Sequence, residues 1–166
     1  VNSKTVTYDS KIGEITNPTK TGYNFGGWYL DTESITSESV YKYAKDITIK
    51  AKWTEGTNTK YTVNYYLQTI DKTYGSATES IVYTGITNKT VEAELKTYEG
   101  FVTPSKQTVK ILADGSAKVD YYYVRKELKV TFINASTKKE VTYLYGKENQ
   151  AFTNNGFTKT GYTLTG

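Results

Sequence analysis

Apolar and polar residues alternate along several short stretches of this chain. The clearest is DITIKAKW, residues 46–53, in which every second residue is apolar and the residues between them are threonine or lysine. A period of two with one apolar side is typical of a β-strand that buries one face and exposes the other. The pattern recurs in YTVNYYLQ (61–68), TVEAELK (90–96), KVDYYYV (118–124) and LKVTFI (128–133). The residues predicted to face a core are Ile47, Ile49, Ala51, Trp53, Tyr61, Val63, Tyr65, Leu67, Val91, Ala93, Leu95, Val119, Tyr121, Tyr123, Leu128, Val130 and Phe132.

Turn sequences punctuate these strands. ADGS at 113–116 is typical of a hairpin, because Asp-Gly supplies the positive φ that a tight turn needs. We expect it to join a strand around Val109 and Ile111 to the strand around Tyr121. Helical periodicity is scarce, and DTESITSESV at 31–40 fits either one short helical turn or a capped loop. The predicted fold class is therefore β-rich, mainly β to α+β.

Composition supports this fold class and narrows the chemistry. The chain has 17 tyrosines and only 2 prolines, and tyrosine and threonine suit a pleated, half-buried surface. It contains no cysteine and no histidine, which removes thiolate chemistry, the commonest metal ligand and the commonest general base. We expect no catalytic, cofactor-binding or metal-binding residues, and we expect that the protein is not an enzyme.

Charge argues against a nucleic-acid partner, and the length of the apolar runs argues against a membrane. The net charge is +4, but the lysines are scattered and Arg125 is the only arginine. Nucleic-acid binders cluster their basic residues and favour arginine, so we expect no nucleic-acid partner. No apolar run approaches the roughly 20 residues of a membrane span, so we expect no membrane insertion. Glu92 and Glu94 lie two apart on a strand, which favours a solvated face over a catalytic carboxylate pair.

One phrase occurs twice. TKTGY stands at 19–23 and again at 158–162, and VTYDSKIGE at 6–14 resembles VTYLYGKEN at 141–149. Internal repetition on this scale indicates a linear array of small modules. Polar stretches at 54–60 and 125–127 separate the blocks. The predicted organisation is a first repeat at 1–53, a linker at 54–60, a middle module at 61–126 and a truncated second repeat at 127–166.

The phrase predicts a local structure. We expect Gly22 to turn the chain with positive φ, so that Tyr23 and Phe25 share one face of a strand. Gly26-Gly27 is expected to form a β-bulge, which resets the alternation and returns Trp28 to the core face.

The two tryptophans admit two interpretations. If Trp28 and Trp53 are buried, they supply much of the core of a small module. If they are exposed, Trp28 and its neighbour Tyr29 are the candidate ligand-binding residues, because aromatic rings stack on sugars. The solvent accessibility of Trp28 and Trp53 separates these interpretations.

YDSKIGEITNPTKTGYNFGGWYLD, followed by DITIKAKW, resembles the Listeria–Bacteroides repeat, also called the internalin B-type repeat. Pro18 to Tyr29 and Ala51 to Trp53 carry the resemblance. It extends in truncated form to 128–166, where Gly161 and Tyr162 match Gly22 and Tyr23. There Asn155-Gly156-Phe157 replaces the proline, and the closing strand is missing.

The middle module is similar to mucin-binding-type repeats. YTVNYYLQTIDKTYGS, TYEGF and ADGSAKVDYYYVRK carry that resemblance. The two resemblances imply tandem small β-grasp-like modules on large secreted bacterial surface proteins, mostly anchored to the cell wall. They imply a non-catalytic stalk or interaction segment of an adhesin, with a glycan- or mucin-binding module as the alternative. The implied partner is a host surface protein or a glycan.

The repeat phase predicts self-association. In the family, a strand such as LKVTFI opens each repeat; the first copy begins after its equivalent, whereas the second copy stops before its closing strand. Unpaired sheet edges are templates for another strand. We therefore expect edges at residues 1–10 and 128–145 to pair with neighbouring molecules or with each other's units, which would give head-to-tail association.

Overall fold

The computed structural model describes residues 3–134, 137–146 and 160–162. These residues form eleven strands and no helix, which confirms the predicted β-rich class. The strands are β1 (Tyr23–Leu30), β2 (Glu33–Ile35), β3 (Lys50–Glu55), β4 (Thr59–Leu67), β5 (Glu79–Gly85), β6 (Thr90–Glu92), β7 (Phe101–Val102), β8 (Thr108–Lys110), β9 (Lys118–Arg125), β10 (Glu127–Asn134) and β11 (Thr137–Leu144).

The first repeat forms a three-stranded antiparallel sheet in the order β2-β1-β3. Phe25 pairs with Trp53 and Trp28 pairs with Ala51, so the register shifts between Phe25 and Trp28. This shift confirms the predicted bulge, and Gly27 within it has a φ of +108°. Gly22 has a φ of +76°, as predicted. The segment 31–40 contains β2 and turns instead of a helix.

A four-stranded sheet in the order β5-β4-β9-β7 forms the core of the middle of the chain. The predicted alternation is confirmed in β4 and β9. The buried side chains of these strands include Val63, Tyr65, Val119, Tyr121 and Tyr123. The three tyrosines are fully inaccessible to solvent. Each of the three buried tyrosine hydroxyls has a hydrogen-bond acceptor. Tyr65, Tyr121 and Tyr123 donate to the main-chain carbonyls of Glu94, Ala93 and Lys96 at 2.9, 3.1 and 2.7 Å.

The ADGS turn forms, but the hairpin prediction is wrong. β8 pairs with β6, whereas β9 lies in the four-stranded sheet. The reason lies in Ile111, which is fully buried and whose N–H donates to the carbonyl of Lys89 at 2.9 Å. The chain thus stays with β6 up to the turn. Asp114 then accepts from the N–H and hydroxyl of Ser116, and only Gly115 takes a positive φ, of +76°.

β10 and β11 form an antiparallel hairpin with continuous register from the pair Glu127–Leu144 to the pair Asn134–Thr137. Val130 and Phe132 are half-buried, as their parity predicts. Leu128 was expected to face a core, but it is 48% exposed. The hairpin is a two-stranded sheet, which offers less cover to its apolar face than a larger sheet does.

The chain divides into two compact units. The first combines Val1–Thr62, Val82–Glu92 and Thr108–Lys118. The second combines Val63–Ile81, Ala93–Gln107 and Val119–Gly166. The first unit thus contains the first repeat together with two segments of the middle of the chain. The domain boundaries expected from the sequence stay predictions.

Candidate functional site

The aromatic cluster of the first repeat centres on Phe25. Its ring makes edge-to-face contacts with Trp28 and Trp53, at centroid distances of 5.6 and 5.7 Å. Both tryptophans are half-buried. The indole N–H of Trp28 is buried and has no hydrogen-bond partner among the described residues. The tryptophans therefore form neither a fully enclosed core nor a flat, exposed platform.

Trp28 and Tyr29, the candidate ligand-binding residues, are both half-buried, and their role in ligand binding stays a prediction. They are consecutive residues of β1, and consecutive side chains of a strand point to opposite faces. Tyr29 instead borders an open cleft of about 380 Å³ with Asp31, Thr32 and the β3 segment 50–52. The ammonium of Lys52 lies 5.0 Å from the Tyr29 ring centroid, within cation–π range.

Gly22 is the centre of a second and better-defined arrangement. Its carbonyl accepts two hydrogen bonds, from the N–H of Gly56 at 2.8 Å and from the hydroxyl of Thr87 at 2.6 Å. Thr87 is fully inaccessible to solvent. Its hydroxyl lies 2.7 Å from that of Thr59, and since its single proton is directed to Gly22, Thr59 is the donor of that pair. The N–H of Thr87 donates to the carbonyl of Gly56 at 2.9 Å.

Close packing makes glycine necessary at position 22. A Cβ there would lie 2.5 Å from the carbonyl oxygen of Ala113 and 2.7 Å from its Cα. A Cβ on Gly56 would in turn lie 2.8 Å from the Gly22 oxygen. The positive φ of Gly22 adds an independent preference for glycine.

Tyr23 extends the contact beyond the main chain. Its hydroxyl accepts from Nδ2 of Asn88 at 2.7 Å, and the same amide nitrogen lies 3.3 Å from Oε1 of Glu55. Lys89 is 3.7 Å from the other oxygen of Glu55. The ammonium of Lys20 lies 4.0 Å above the Tyr23 ring. We call the set Gly22, Tyr23, Gly56, Thr87 and Asn88 the turn junction.

The sequence predicted two residues of the turn junction and missed the other three. Gly22 and Tyr23 were singled out as motif residues, but their partners Thr87 and Asn88 lie 65 residues away. Thr87 and Asn88 form an ordinary Thr-Asn turn sequence, and Asn88 has a positive φ of +64° that asparagine tolerates. Nothing in the sequence pattern distinguishes this turn from others.

Three tyrosines form a cluster on the outer side of the four-stranded sheet. Tyr66 and Tyr122 stack at 4.7 Å with an interplanar angle of 14°, and Tyr74 meets Tyr122 edge-on at 5.0 Å. Tyr122 is 48% exposed. Burial raises the pKa of the Tyr66 phenol, and the Asp120 carboxylate raises it further. We call Tyr66, Tyr74 and Tyr122 the tyrosine cluster.

Polar side chains continue the surface beside the tyrosine cluster. The hydroxyl of Ser80 donates to Oδ1 of Asn64 at 2.7 Å, and Nδ2 of Asn64 donates to Asp120 at 2.7 Å. Strand parity predicted that Tyr65, Tyr121 and Tyr123 face the core. The same parity puts Tyr66 and Tyr122 on the outer side, but these two were not predicted as site residues.

The second repeat reproduces the glycine turn of the first. Gly161 has a φ of +78°, close to the +76° of Gly22, and Tyr162 is 71% exposed. Among the described residues, no atom lies within 4 Å of a Cβ built on Gly161. Asn155 to Phe157, where the sequence departs from the first copy, lie outside the described residues.

Other candidate chemistry is limited in the described part of the chain. Glu92 and Glu94 are exposed, in line with a solvated face. Across residues 3–134, 137–146 and 160–162, no three acidic side chains gather in a way that could hold a metal ion. In the same residues, no helix has the length and apolarity that crossing a bilayer requires.

Comparison with known proteins finds a similarity over one part of the chain. No curated protein and no solved structure matches it. The resemblance of residues 61–126 to mucin-binding repeats stays a prediction. Residues 1–52 match the family model of the Listeria–Bacteroides repeat domain, so this part of the chain is similar to a non-enzymatic repeat of bacterial surface proteins.

Proposed function

We propose that this chain is a non-catalytic stalk and interaction segment of an extracellular bacterial adhesin, attached to the cell wall through regions outside residues 1–166. The turn junction supports this proposal. It ties the turn of the first repeat to a turn of the middle of the chain through the fully buried Thr87 and the carbonyl of Gly22. A segment that projects or spaces an adhesive domain needs modules that hold a fixed orientation.

The connection between the first repeat and the following strand is short. β3 ends at Glu55 and β4 begins at Thr59, so only residues 56–58 lie between them. One of these, Gly56, both donates to Gly22 and accepts from Thr87. A connection of this length with its main chain hydrogen-bonded cannot act as the flexible coil that a long Gly/Ser linker forms.

Thr87→Val tests the rigidity on which the proposal depends. Valine keeps the shape of threonine but removes the donor to Gly22, so we expect a loss of about 1–3 kcal/mol in unfolding free energy. Thr84→Val is the matched control, because Thr84 is exposed on β5. The change at Thr84 should stay within about 0.5 kcal/mol.

Spin labels measure directly how the distance between the first repeat and β8 varies. The chain contains no cysteine, so Lys42→Cys and Lys110→Cys introduce two unique labelling sites on exposed positions of the first unit. We expect a narrow distance distribution in the otherwise unchanged chain and a broader one in the Thr87→Val background. A broad distribution without the Val substitution would contradict a stalk function.

The tyrosine cluster favours glycan binding as a second candidate function. The exposed ring of Tyr122 lies beside a chain of hydroxyl, amide and carboxylate groups, and this combination suits a sugar, which presents both C–H faces and hydroxyls. Tyr122→Ala should weaken binding to mucin-type oligosaccharides about tenfold or more in calorimetric titration. Tyr8→Ala is the control, since Tyr8 is 63% exposed in the first repeat. Equal effects of the two substitutions, or no binding by the unchanged chain, would exclude a glycan site at this cluster.

A further inference from the structure

The described strands of the four-stranded sheet end in two unlike edges. At one edge lies β7, which has only two residues and is followed by Thr103 and Pro104. Short edge strands and proline are devices that keep a sheet from pairing with another chain. At the other edge lies β5, whose seven residues, ESIVYTG, include no proline and no lysine. The edge at β5 therefore lacks the protection that the edge at β7 has.

Burial shows that the flank of β5 is open. β4 has a neighbouring strand on each side, and its three inward-facing residues from Tyr61 to Tyr65 are at most 6% exposed. Tyr83 of β5 stacks on Tyr61 at a centroid distance of 5.6 Å, yet Tyr83 and Ile81 are only half-buried. Among the described residues, no main-chain hydrogen bond joins 79–85 to a segment outside the sheet.

The middle of β5 carries no charge that would repel another strand. Val82 at its centre is 57% exposed, and its neighbours on the outer face are the exposed Ser80 and Thr84. The one charged residue of the strand is Glu79 at its first position, and its carboxylate lies 2.6 Å from the ammonium of Lys96. A long edge strand with an uncharged, partly apolar centre is a template for a further strand.

We propose that β5 is an interface with the β5 of a second copy of this chain, in which the two strands run antiparallel about a twofold axis through Val82. All seven residues then pair, in the register Glu79–Gly85, Ser80–Thr84, Ile81–Tyr83 and Val82–Val82. The two Glu79 carboxylates lie at opposite ends of the pair, so no like charges face each other. Opposite residues of antiparallel strands share a face, so the core sides of both copies lie on one side of the joined sheet.

The second copy supplies the cover that β5 lacks. Ile81 of one copy lies beside Tyr83 of the other, and a β-branched residue opposite an aromatic one stabilises a strand pair. The contact is isologous, so it closes as a dimer and does not propagate. One strand pair buries less than the roughly 1,200 Å² of a standard interface, so the pairing is weak. The inference goes beyond the proposed stalk function and fails independently of it, since no residue of the turn junction lies in β5.

Sedimentation equilibrium of the full chain, from micromolar to millimolar concentration, is the first test. We expect the average mass to rise from that of one chain towards that of two chains and no further. Val82→Lys should keep the mass of one chain, because two lysines would face each other across the axis. Val102→Lys is the matched control, since Val102 is 52% exposed on β7 at the other edge of the sheet. It should associate as the unchanged chain does.

A charge swap tests the twofold register. Val82→Glu alone should also keep the mass of one chain. An equimolar mixture of Val82→Lys and Val82→Glu should form a mixed dimer, because position 82 of one copy faces position 82 of the other. Added salt should weaken this mixed dimer, since its paired charges are exposed. A mixture that keeps the mass of one chain would overturn the proposed pairing.

Hydrogen exchange tests the interface without any substitution. In the unchanged chain, main-chain amides of β5 should exchange more slowly at high than at low protein concentration, whereas those of β7 should not change. Equal exchange of β5 at all concentrations, or a mass that never rises above that of one chain, would overturn the proposal. Association that Val82→Lys retains, or that Val102→Lys also loses, would assign the contact to another surface. A mass above that of two chains would do the same and would favour the edges at 1–10 and 128–145.

Discussion

The two copies of the repeat show how one sequence takes two structures. Lys4–Tyr8 and Lys139–Tyr143 differ only at Thr5 and Glu140. In the second copy this sequence lies in β11 and pairs along its length with β10. In the first copy, residues 3–8 contain no strand.

The turn sequences of the two copies give the opposite result. Gly22 and Gly161 take nearly the same positive φ although their described surroundings differ, since Gly22 packs on Ala113 and a Cβ on Gly161 would contact none of the described residues. A glycine turn is set by local backbone preference, whereas a strand needs a neighbour to receive its hydrogen bonds. The comparison therefore separates what a repeat specifies by itself from what its context adds.

Trp53→Ala should have the largest effect and should act on the first copy alone. Trp53 packs on Phe25 in the β1–β3 pair, and the β10–β11 hairpin contains no tryptophan. Trp→Ala in a core costs roughly 3–5 kcal/mol, and the half-exposed ring favours about 3. Urea melts combined with hydrogen exchange should show loss of protection in β1 and β3 and no change in β10 and β11. A loss below about 1 kcal/mol would make Trp53 a surface residue and favour the sugar-stacking interpretation of the first repeat.

Gly22→Ala and Gly161→Ala form a matched pair that separates local from tertiary effects. Both place alanine at a positive φ, which costs about 1–2 kcal/mol. Only Gly22→Ala also collides with Ala113, so it should cost about 1 kcal/mol or more beyond Gly161→Ala. Equal losses in urea melts would mean that the turn junction adds nothing to stability.

Acid should affect the second copy through Glu127, in a smaller and pH-dependent way. The Lys72 ammonium, 2.7 Å from Glu127 at the start of β10, holds the pKa of that carboxyl below its ordinary value of 4.5. A lowered pKa in the folded state means that the pair stabilises the fold above about pH 4.5, and that this contribution is lost as the pH falls through the folded value.

Glu127→Gln measures that contribution. The difference in unfolding free energy between the unchanged chain and this variant should be small at neutral pH, because both partners of the pair are exposed, and should vanish in acid. A difference that grows as the pH falls would contradict the assigned direction of the pKa shift.

Local rules made much of the fold predictable. Strand parity placed Tyr65, Tyr121 and Tyr123 inside, and glycine chemistry placed the turn at Gly22 and the bulge at Gly27. Each of these depends on neighbouring residues, which is the information that a sequence pattern carries.

Pairings over long distances were not predictable in the same way. The ADGS turn forms as its residues require, but the partner of β8 is β6, which lies earlier in the chain and begins at Thr90, whereas β8 begins at Thr108. The turn junction depends on Thr87, whose burial comes from packing that no local pattern records. The exposure of Leu128 has the same origin, because parity gives its side of the strand but not whether anything covers that side.

The three buried tyrosine hydroxyls have a consequence for resistance to proteolysis. Residues 93–98 form no strand or helix, and irregular main chain of this kind is the usual target of proteases. Here the carbonyls of Ala93, Glu94 and Lys96 accept hydrogen bonds from the three buried tyrosines of β4 and β9. A protease would have to pull this segment off the sheet and leave three buried hydroxyls without acceptors, so we expect residues 93–98 to resist digestion more than their lack of regular structure suggests.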